Sequence, residues 1–182
     1  MGQTARRFLR GLVWLQYRHQ SIRNTSVSAL VSGSADSQFK NTMQITGQCH
    51  CGAIFFTALV DPAKVIACHC ADCQTFSGGP FRAVLPTPIE SVTLTGTPKH
   101  YVKVAESGNR RVQAFCAECG THLYACEAEV PSTLNLRLGC VKERASLPPV
   151  GQIWGESSMP WLHAMDDIPM HTKGMASPLV GA

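Results

Sequence analysis

Beyond Thr46 the chain is built from short runs in which apolar and β-branched residues alternate with polar ones, and Gly and Pro close each run. These runs predict strands over Ala53–Leu59, Lys64–Ala67, Val92–Thr95, His100–Val104, Arg111–Phe115, His122–Ala125 and Thr133–Leu138. Turn chemistry lies between them, at Asp61-Pro62, Ser77-Gly78-Gly79-Pro80, Gly96-Thr97-Pro98 and Ser107-Gly108-Asn109. Almost nothing repeats with the 3.6-residue period of a helix, so the pattern predicts a mainly β protein. No internal repeat is present. After Leu147 the pattern breaks into Pro148-Pro149, three further prolines and two tryptophans, a segment expected to wrap over the sheets.

Composition and charge sharpen this picture. The 182 residues, 45% of them apolar, suit one domain of ordinary size, and no linker divides them. The formal charge of +4 is unevenly spread: six of the sixteen Lys/Arg and one of the twelve Asp/Glu fall in residues 1–42. The ten basic and eleven acidic residues that remain leave the body at −1, without the basic stripe of a nucleic-acid surface. Residues 1–42 are rich in Arg and Ser, and their apolar stretch around Phe8-Leu9 and Leu12–Leu15 is too short and broken for a membrane span. This extension reads as a flexible or mis-started segment, with Met43 as a later start, or as a transit peptide. The expected organisation is therefore an extension over 1–42, a folded domain over 43–175 and a tail over 176–182. Without a secretory signal the location is cytoplasmic, or organellar if the extension is a transit peptide. The oligomeric state is not legible.

Seven of the nine cysteines fall into three groups: Cys49-His50-Cys51, Cys68-His69-Cys70-Ala71-Asp72-Cys73, and Cys116-Ala117-Glu118-Cys119 followed by Gly120. Such spacing favours metal ligation in a reducing compartment over a disulfide framework. It suits a soft tetrahedral cation such as zinc, which binds sulfur at about 2.3 Å. Side chains alternate along an extended segment, so C-x-C presents two sulfurs on one side. C-x-x-C-G closes a knuckle in which Gly120 can take a positive φ. Four-coordination then groups Cys49 and Cys51 with Cys116 and Cys119 in a closed, structural site.

Cys68, Cys70 and Cys73 supply three thiolates and leave one coordination position, the arrangement of a catalytic zinc. Three thiolates leave about −1 at the site, which disfavours hydrolysis and makes an incoming thiol the better fourth ligand. Thiol addition to a small carbonyl compound follows, with a donor or water protonating the alkoxide. The competing reading is a second structural zinc completed by His50, His69 or His122. His69 lies between two ligands and points the other way in extended chain, a supporting or surface position rather than a ligand. Cys126 and Cys140 read as small core residues. Thiol redox sensing by a metal-free triplet is a third reading.

Gly47-Gln48-Cys49-His50-Cys51-Gly52, Cys68-His69-Cys70-Ala71-Asp72-Cys73 and Phe115-Cys116-Ala117-Glu118-Cys119-Gly120-Thr121 resemble the glutathione-dependent formaldehyde-activating enzyme family, the CENP-V/GFA domain. Gln152-Ile153-Trp154, Trp161 and Asp167-Ile168-Pro169 are similar to its C-terminal signature, so the resemblance runs from about Met43 to Lys173. It implies an Mss4-like fold of small antiparallel β-sheets stapled by two zinc ions. The structural one would sit on Cys49, Cys51, Cys116 and Cys119, the catalytic one on Cys68, Cys70 and Cys73. The implied activity is that of a carbon-sulfur lyase, joining glutathione or a similar thiol to formaldehyde or a small aldehyde. One position departs from the family: a basic residue is usual just after the third cysteine of the middle group, and Gln74 stands there. That removes a charge able to hold an anionic thiol. A non-enzymatic zinc module for partner binding, as in the CENP-V branch, is the alternative.

Overall fold

The alternating runs become the strands of two sheets in a computed structural model, which describes residues 41–105 and 107–181. Residues 1–40 of the basic extension, with the targeting and late-start readings placed on them, lie outside the described residues. The strands are β1 (Met43–Gln48), β2 (Phe55–Val60), β3 (Ile66–Cys68), β4 (Arg82–Pro88), β5 (Val92–Thr95), β6 (Lys99–Val104), β7 (Arg110–Phe115), β8 (His122–Glu127), β9 (Thr133–Arg137) and β10 (Gly151–Ile153). The helix α1 (Ala71–Ser77) interrupts them between β3 and β4. One sheet has the order β1-β2-β5, and the other β10-β3-β4-β9-β8-β7-β6. The protein is mainly β with antiparallel sheets, as the pattern predicts, apart from one parallel contact between β10 and β3.

Three strands and the helix escape the sequence pattern. Pro86 and Pro88 hide β4, because a proline cannot donate to a ladder. The register shows why both are tolerated: β3 pairs with β4 only over Arg82–Val84, so the prolines lie past its end and face a partner strand on one side alone. β1 precedes the region where the alternation becomes regular, and β10 has three residues within the irregular C-terminal segment. The segment around Lys64 forms a 3-10 turn over Pro62–Lys64 instead of strand, begun by Asp61, whose side chain accepts from the Ala63 N–H at 3.0 Å.

The core lies between the sheets. Ile45, Phe56, Ala58 and Val60 of the smaller sheet meet Leu85, Val112, Ala114, Leu123, Leu134 and Leu136 of the larger. Each large aliphatic side chain so buried contributes about 1.5–3 kcal/mol. Phe56 lies opposite Gly47 across β1 and β2, with its ring over the place a Cβ would take. Gly47→Ala should therefore overpack the core at a cost of about 1–3 kcal/mol, and Phe56→Leu in the same chain should return much of it. Thermal melts check this; a Gly47→Ala protein melting at the wild-type temperature would contradict it.

The register also defines the other face of the larger sheet. Cys68 is opposite Arg82, Val84 opposite Arg137, Ala125 opposite both Gln113 and Asn135, and Lys103 opposite Arg111. Steps of two keep these residues on one face while Leu85, Leu134, Leu136, Val112 and Ala114 fill the core behind them. One face of this sheet is thus polar and carries the first cysteine of the middle group.

A carboxylate fastens the C-terminal half to β1. Glu143 accepts from the Thr46 N–H at 2.9 Å and from its hydroxyl at 3.1 Å, which holds its carboxyl below the ordinary glutamate range. A depressed carboxylate stabilises the fold above its unfolded-state pKa, and that stabilisation is lost as pH falls through the folded value. Wild type should lose more melting temperature than Glu143→Gln as pH drops below about 4.3, the ordinary glutamate value. Parallel acid limbs in the two melting profiles would contradict this.

Candidate metal centres

The first cysteine group meets the third at one end of the two sheets. Cys49 follows β1, and the turn after it is fixed by the Cys49 N–H to Ile54 carbonyl bond (2.8 Å) and by the Ile54 N–H donating to Cys49 Sγ (3.3 Å). Cys116 and Cys119 form a knuckle after β7, closed by the Gly120 N–H on the Cys116 carbonyl at 2.9 Å. Gly120 has φ +71°, the positive value the C-x-x-C-G spacing calls for. His50 N–H donates to the Thr121 hydroxyl at 3.1 Å and joins the two turns.

The four sulfurs lie within 4.8 Å of one another, Cys49 and Cys51 3.5 Å apart and Cys51 and Cys116 3.7 Å apart. These separations are far longer than a disulfide bond, about 2.05 Å. They match the edge of a tetrahedron whose centre lies about 2.3 Å from each sulfur. The electrostatics agree with a cation-binding donor set. Thr121, through its hydroxyl and its backbone, pulls the Cys119 thiol down to about 5. Cys51 is favoured as thiolate by the Ala53 backbone, yet the neighbouring thiols Cys49 and Cys119 push it up to about 12. Ionising one sulfur suppresses the next, and a dication removes that conflict.

The middle group is local to β3 and α1. Cys68 ends β3, and Cys70 is the N-cap of α1, its Sγ accepting from the Cys73 N–H at 3.4 Å. Cys73 is the third residue of the helix and is buried. The three sulfurs again lie within 4.8 Å, with Cys68 and Cys70 3.5 Å apart. Burial opposes ionisation of Cys70, but the Cys73 backbone and then the Cys73 and Cys68 thiols outweigh it and lower its pKa. Burial raises Cys68 and Cys73, against which the charge of Arg82 favours the Cys73 thiolate.

These three sulfurs line a cleft of about 180 Å³, walled by the polar face of the larger sheet. Lys103 enters it and pairs with Asp72, which sits between Cys70 and Cys73. Arg82 and Arg137 enter it from neighbouring strands, and Gln113 Oε1 accepts from Arg137 Nη2 at 2.7 Å and Arg82 Nη1 at 3.3 Å. Arg137 is only 5% exposed, and burial, then the charge of Arg82, brings its pKa down to about 9. A wider cleft of about 700 Å³ passes the four-cysteine cluster, but of its members only Cys49 lines it.

The seven cysteines thus fall into the two clusters that their spacing predicts. Neither cluster includes His50, His69 or His122, the residues considered as a fourth ligand. His69 is buried rather than at the surface, its Nε2 2.7 Å from Gln152 Oε1 and its ring against Phe81. His122 stands among Phe76 and Phe115, with its pKa lowered by burial and by Arg137 and Arg82. Cys126 is a core residue, whereas half-buried Cys140 donates to the His122 carbonyl at 2.9 Å. Gln74 has a fastening role: its Nε2 donates to the His69 carbonyl at 2.7 Å and the Ser157 carbonyl at 2.8 Å, tying α1 to the C-terminal segment. Arg82, Arg137 and Lys103, none of which the sequence singles out, bring positive charge to the cleft of the three-cysteine cluster.

Two β-sheets carrying a four-cysteine and a three-cysteine cluster, each of which could hold a metal ion, define a small β protein with two candidate metal sites. Residues 44–157 match the glutathione-dependent formaldehyde-activating enzyme family, and the chain belongs to it. It is 33% identical over 78 residues to a Schizosaccharomyces pombe protein named as an uncharacterized lyase, a match covering 43% of this chain and 54% of that one. The chain thus spans about half the length of that curated relative. A Rhodobacter sphaeroides protein of known crystal structure is similar at 16% identity and a TM-score of 0.47, over 59% of this chain and 98% of that one. Among the described residues no helix is long and apolar enough to cross a membrane.

Proposed function

We propose that the protein joins a small thiol to formaldehyde or a related small aldehyde, giving an S-hydroxyalkyl adduct, and catalyses the reverse carbon-sulfur cleavage. The observation that carries this reading is the three-cysteine cluster on the wall of a cationic cleft, within a chain of the formaldehyde-activating family. Cys68, Cys70 and Cys73 would hold a zinc ion there, and Cys49, Cys51, Cys116 and Cys119 a second ion of purely structural role. When bound at the triplet, zinc supplies a Lewis-acid position that favours the thiolate form of an incoming thiol.

The chain's own groups account for the rest. Cys70 keeps its sulfur oriented through its cap on α1, and Gln74 holds that helix against the C-terminal segment. The guanidiniums of Arg82 and Arg137 make the cleft favourable for anions, so an incoming thiol gives up its proton to solvent and its thiolate form is preferred there. Its sulfur attacks the aldehyde carbon, the carbon-sulfur bond forms, and the carbonyl π pair moves to oxygen. Lys103 Nζ, in the same cleft and held by Asp72, donates the proton that the alkoxide takes, and solvent restores it.

NMR exchange spectroscopy on formaldehyde and a panel of thiols, glutathione among them, tests the reaction. Catalysed hemithioacetal exchange with at least one thiol is expected, slowed about 100-fold or more in Lys103→Met. No acceleration with any thiol would overturn the reading.

A further inference from the structure

The two sheets are unequal in width, and the mismatch leaves a cleft between them. The smaller sheet ends at β5, while the larger continues to β6. In the register of β6, β7 and β8, His100 is opposite Ala114 and Val102 opposite Val112, and these in turn are opposite Tyr124 and Cys126. All six therefore belong to the core side of the larger sheet, yet Val102 is 40% exposed there. At this lip His100, Val112, Tyr124 and Cys126 join Val92 and Leu94 of β5 in lining a cleft of about 290 Å³. Well-packed interiors hold few voids larger than a water molecule. Ala125, between Tyr124 and Cys126 on β8, lines the cleft of the three-cysteine cluster instead, so the two clefts lie on opposite faces of the larger sheet.

The chemistry of the lining is specific. Tyr124 is 7% exposed, and its hydroxyl lies 3.2 Å from Nε2 of exposed His100, the rings edge to face. Burial lowers the pKa of His100 and raises that of Tyr124 to about 12, which keeps both neutral at neutral pH. A hydroxyl has one donor and two acceptor lone pairs. Whichever ring donates within the pair, the Tyr124 oxygen keeps a lone pair for an O–H or N–H brought by a ligand. Among the described residues no lysine or arginine lines the cleft and Glu127 does, which disfavours an anion.

We propose that this cleft binds a small neutral aromatic molecule of one or two rings, held by a single hydroxyl or N–H that donates to Tyr124. Size follows from volume: an apolar cavity of about 150 Å³ takes benzene, so one about twice as large takes two fused rings. A flat ring suits a slot between two β layers, with Val92 and Leu94 on one side and Val112 and Leu134 on the other. The site does not depend on the thiol-aldehyde reading.

Fluorescence titration of the metal-loaded full-length protein tests this with three probes: 2-naphthol, 2-methoxynaphthalene, which has the rings without the donor, and 2-naphthoate, which has an anion. Wild type should bind 2-naphthol about three- to tenfold more tightly than the ether, the net effect of one neutral hydrogen bond, and bind 2-naphthoate more weakly than either. Tyr124→Phe should bring the ratio of naphthol to ether to about one. Ile89 lines the same cleft and is 40% exposed, so Ile89→Trp should fill it, abolish binding of both neutral probes and leave the melting temperature and the formaldehyde exchange rate unchanged. That variant keeps the test decisive if Tyr124→Phe folds poorly. Cys70→Ser should bind 2-naphthol as wild type does.

No binding of 2-naphthol by wild type, or binding that survives in Ile89→Trp, would overturn the proposal. So would tighter binding of 2-naphthoate, or a naphthol-to-ether ratio that persists in Tyr124→Phe. Binding lost in Cys70→Ser would place the probe at the three-cysteine cluster and equally remove the site. A protein that binds 2-naphthol as described yet never accelerates thiol-formaldehyde exchange loses the proposed reaction and keeps this site.

Discussion

Cys116→Ser and Cys119→Ser proteins are expected in the insoluble fraction, or to purify metal-poor with the cooperative melt lost. The four-cysteine cluster connects the end of β1, in the smaller sheet, to the knuckle after β7, in the larger. Its ligands come from segments about 65 residues apart, so the metal would close a long loop as well as join two sheets. Zinc bound at such sites contributes about 10–16 kcal/mol. That matches or exceeds the roughly 5–15 kcal/mol by which a whole domain is stable. Soluble yield, metal content and a thermal melt check this. A variant with an unchanged melting temperature would contradict a structural role for the cluster.

Cys70→Ser is expected to behave in the opposite way, keeping the fold and losing the chemistry. Its three-cysteine cluster lies within the single stretch from β3 to α1, outside the core between the sheets. Serine is among the preferred N-caps, so its hydroxyl can take over from Cys70 Sγ in accepting the Cys73 N–H, and α1 stays capped. What is lost is one of three metal-binding sulfurs. Zinc should fall from about two per chain to about one, and catalysed exchange between thiol and formaldehyde should disappear. The melting temperature should move by a few degrees at most, roughly the effect of 1 kcal/mol in a domain of this size. A variant that keeps both metals and its rate would remove the triplet from the reaction.

The grouping of seven cysteines into two clusters was legible in the sequence because metal ligands carry local spacing. C-x-C, C-x-x-C and the C-x-C-x-x-C triplet each survive as short motifs whatever the fold brings together later. The strands were legible wherever alternation was regular, as in Thr133–Arg137, with Leu134 and Leu136 buried in the core. It failed where chemistry masked it. Pro86 and Pro88 concealed β4, and α1 has seven residues with no apolar stripe long enough to register as helical.

The cationic wall was not legible for a different reason. Arg82, Lys103, Gln113 and Arg137 lie on four different strands; Arg82 belongs to the hidden β4, and the other three are ordinary polar residues in alternating runs. Alternation assigns such positions to solvent. They become a site because the register of the larger sheet aligns them on one face, and because α1 and the residues around Ile153 fold over that face. Charge that is meant for water is thereby left partly buried and short of partners. Gln74, at a place where the family carries a base, marked only the loss of a charge and gave no sign of these four residues.

On this reading the fold depends on the four-cysteine centre and the chemistry on the three-cysteine centre. Graded removal of zinc by a chelator, with exchange rate, near-ultraviolet dichroism and bound zinc read on the same samples, tests it most directly. The site with three protein ligands should release its metal before the site with four. The rate should fall to the uncatalysed level as zinc drops from about two to about one per chain while the dichroism holds, and the fold should be lost only with the second ion. A rate that persists at one zinc, or a fold and a rate that vanish together, would contradict it.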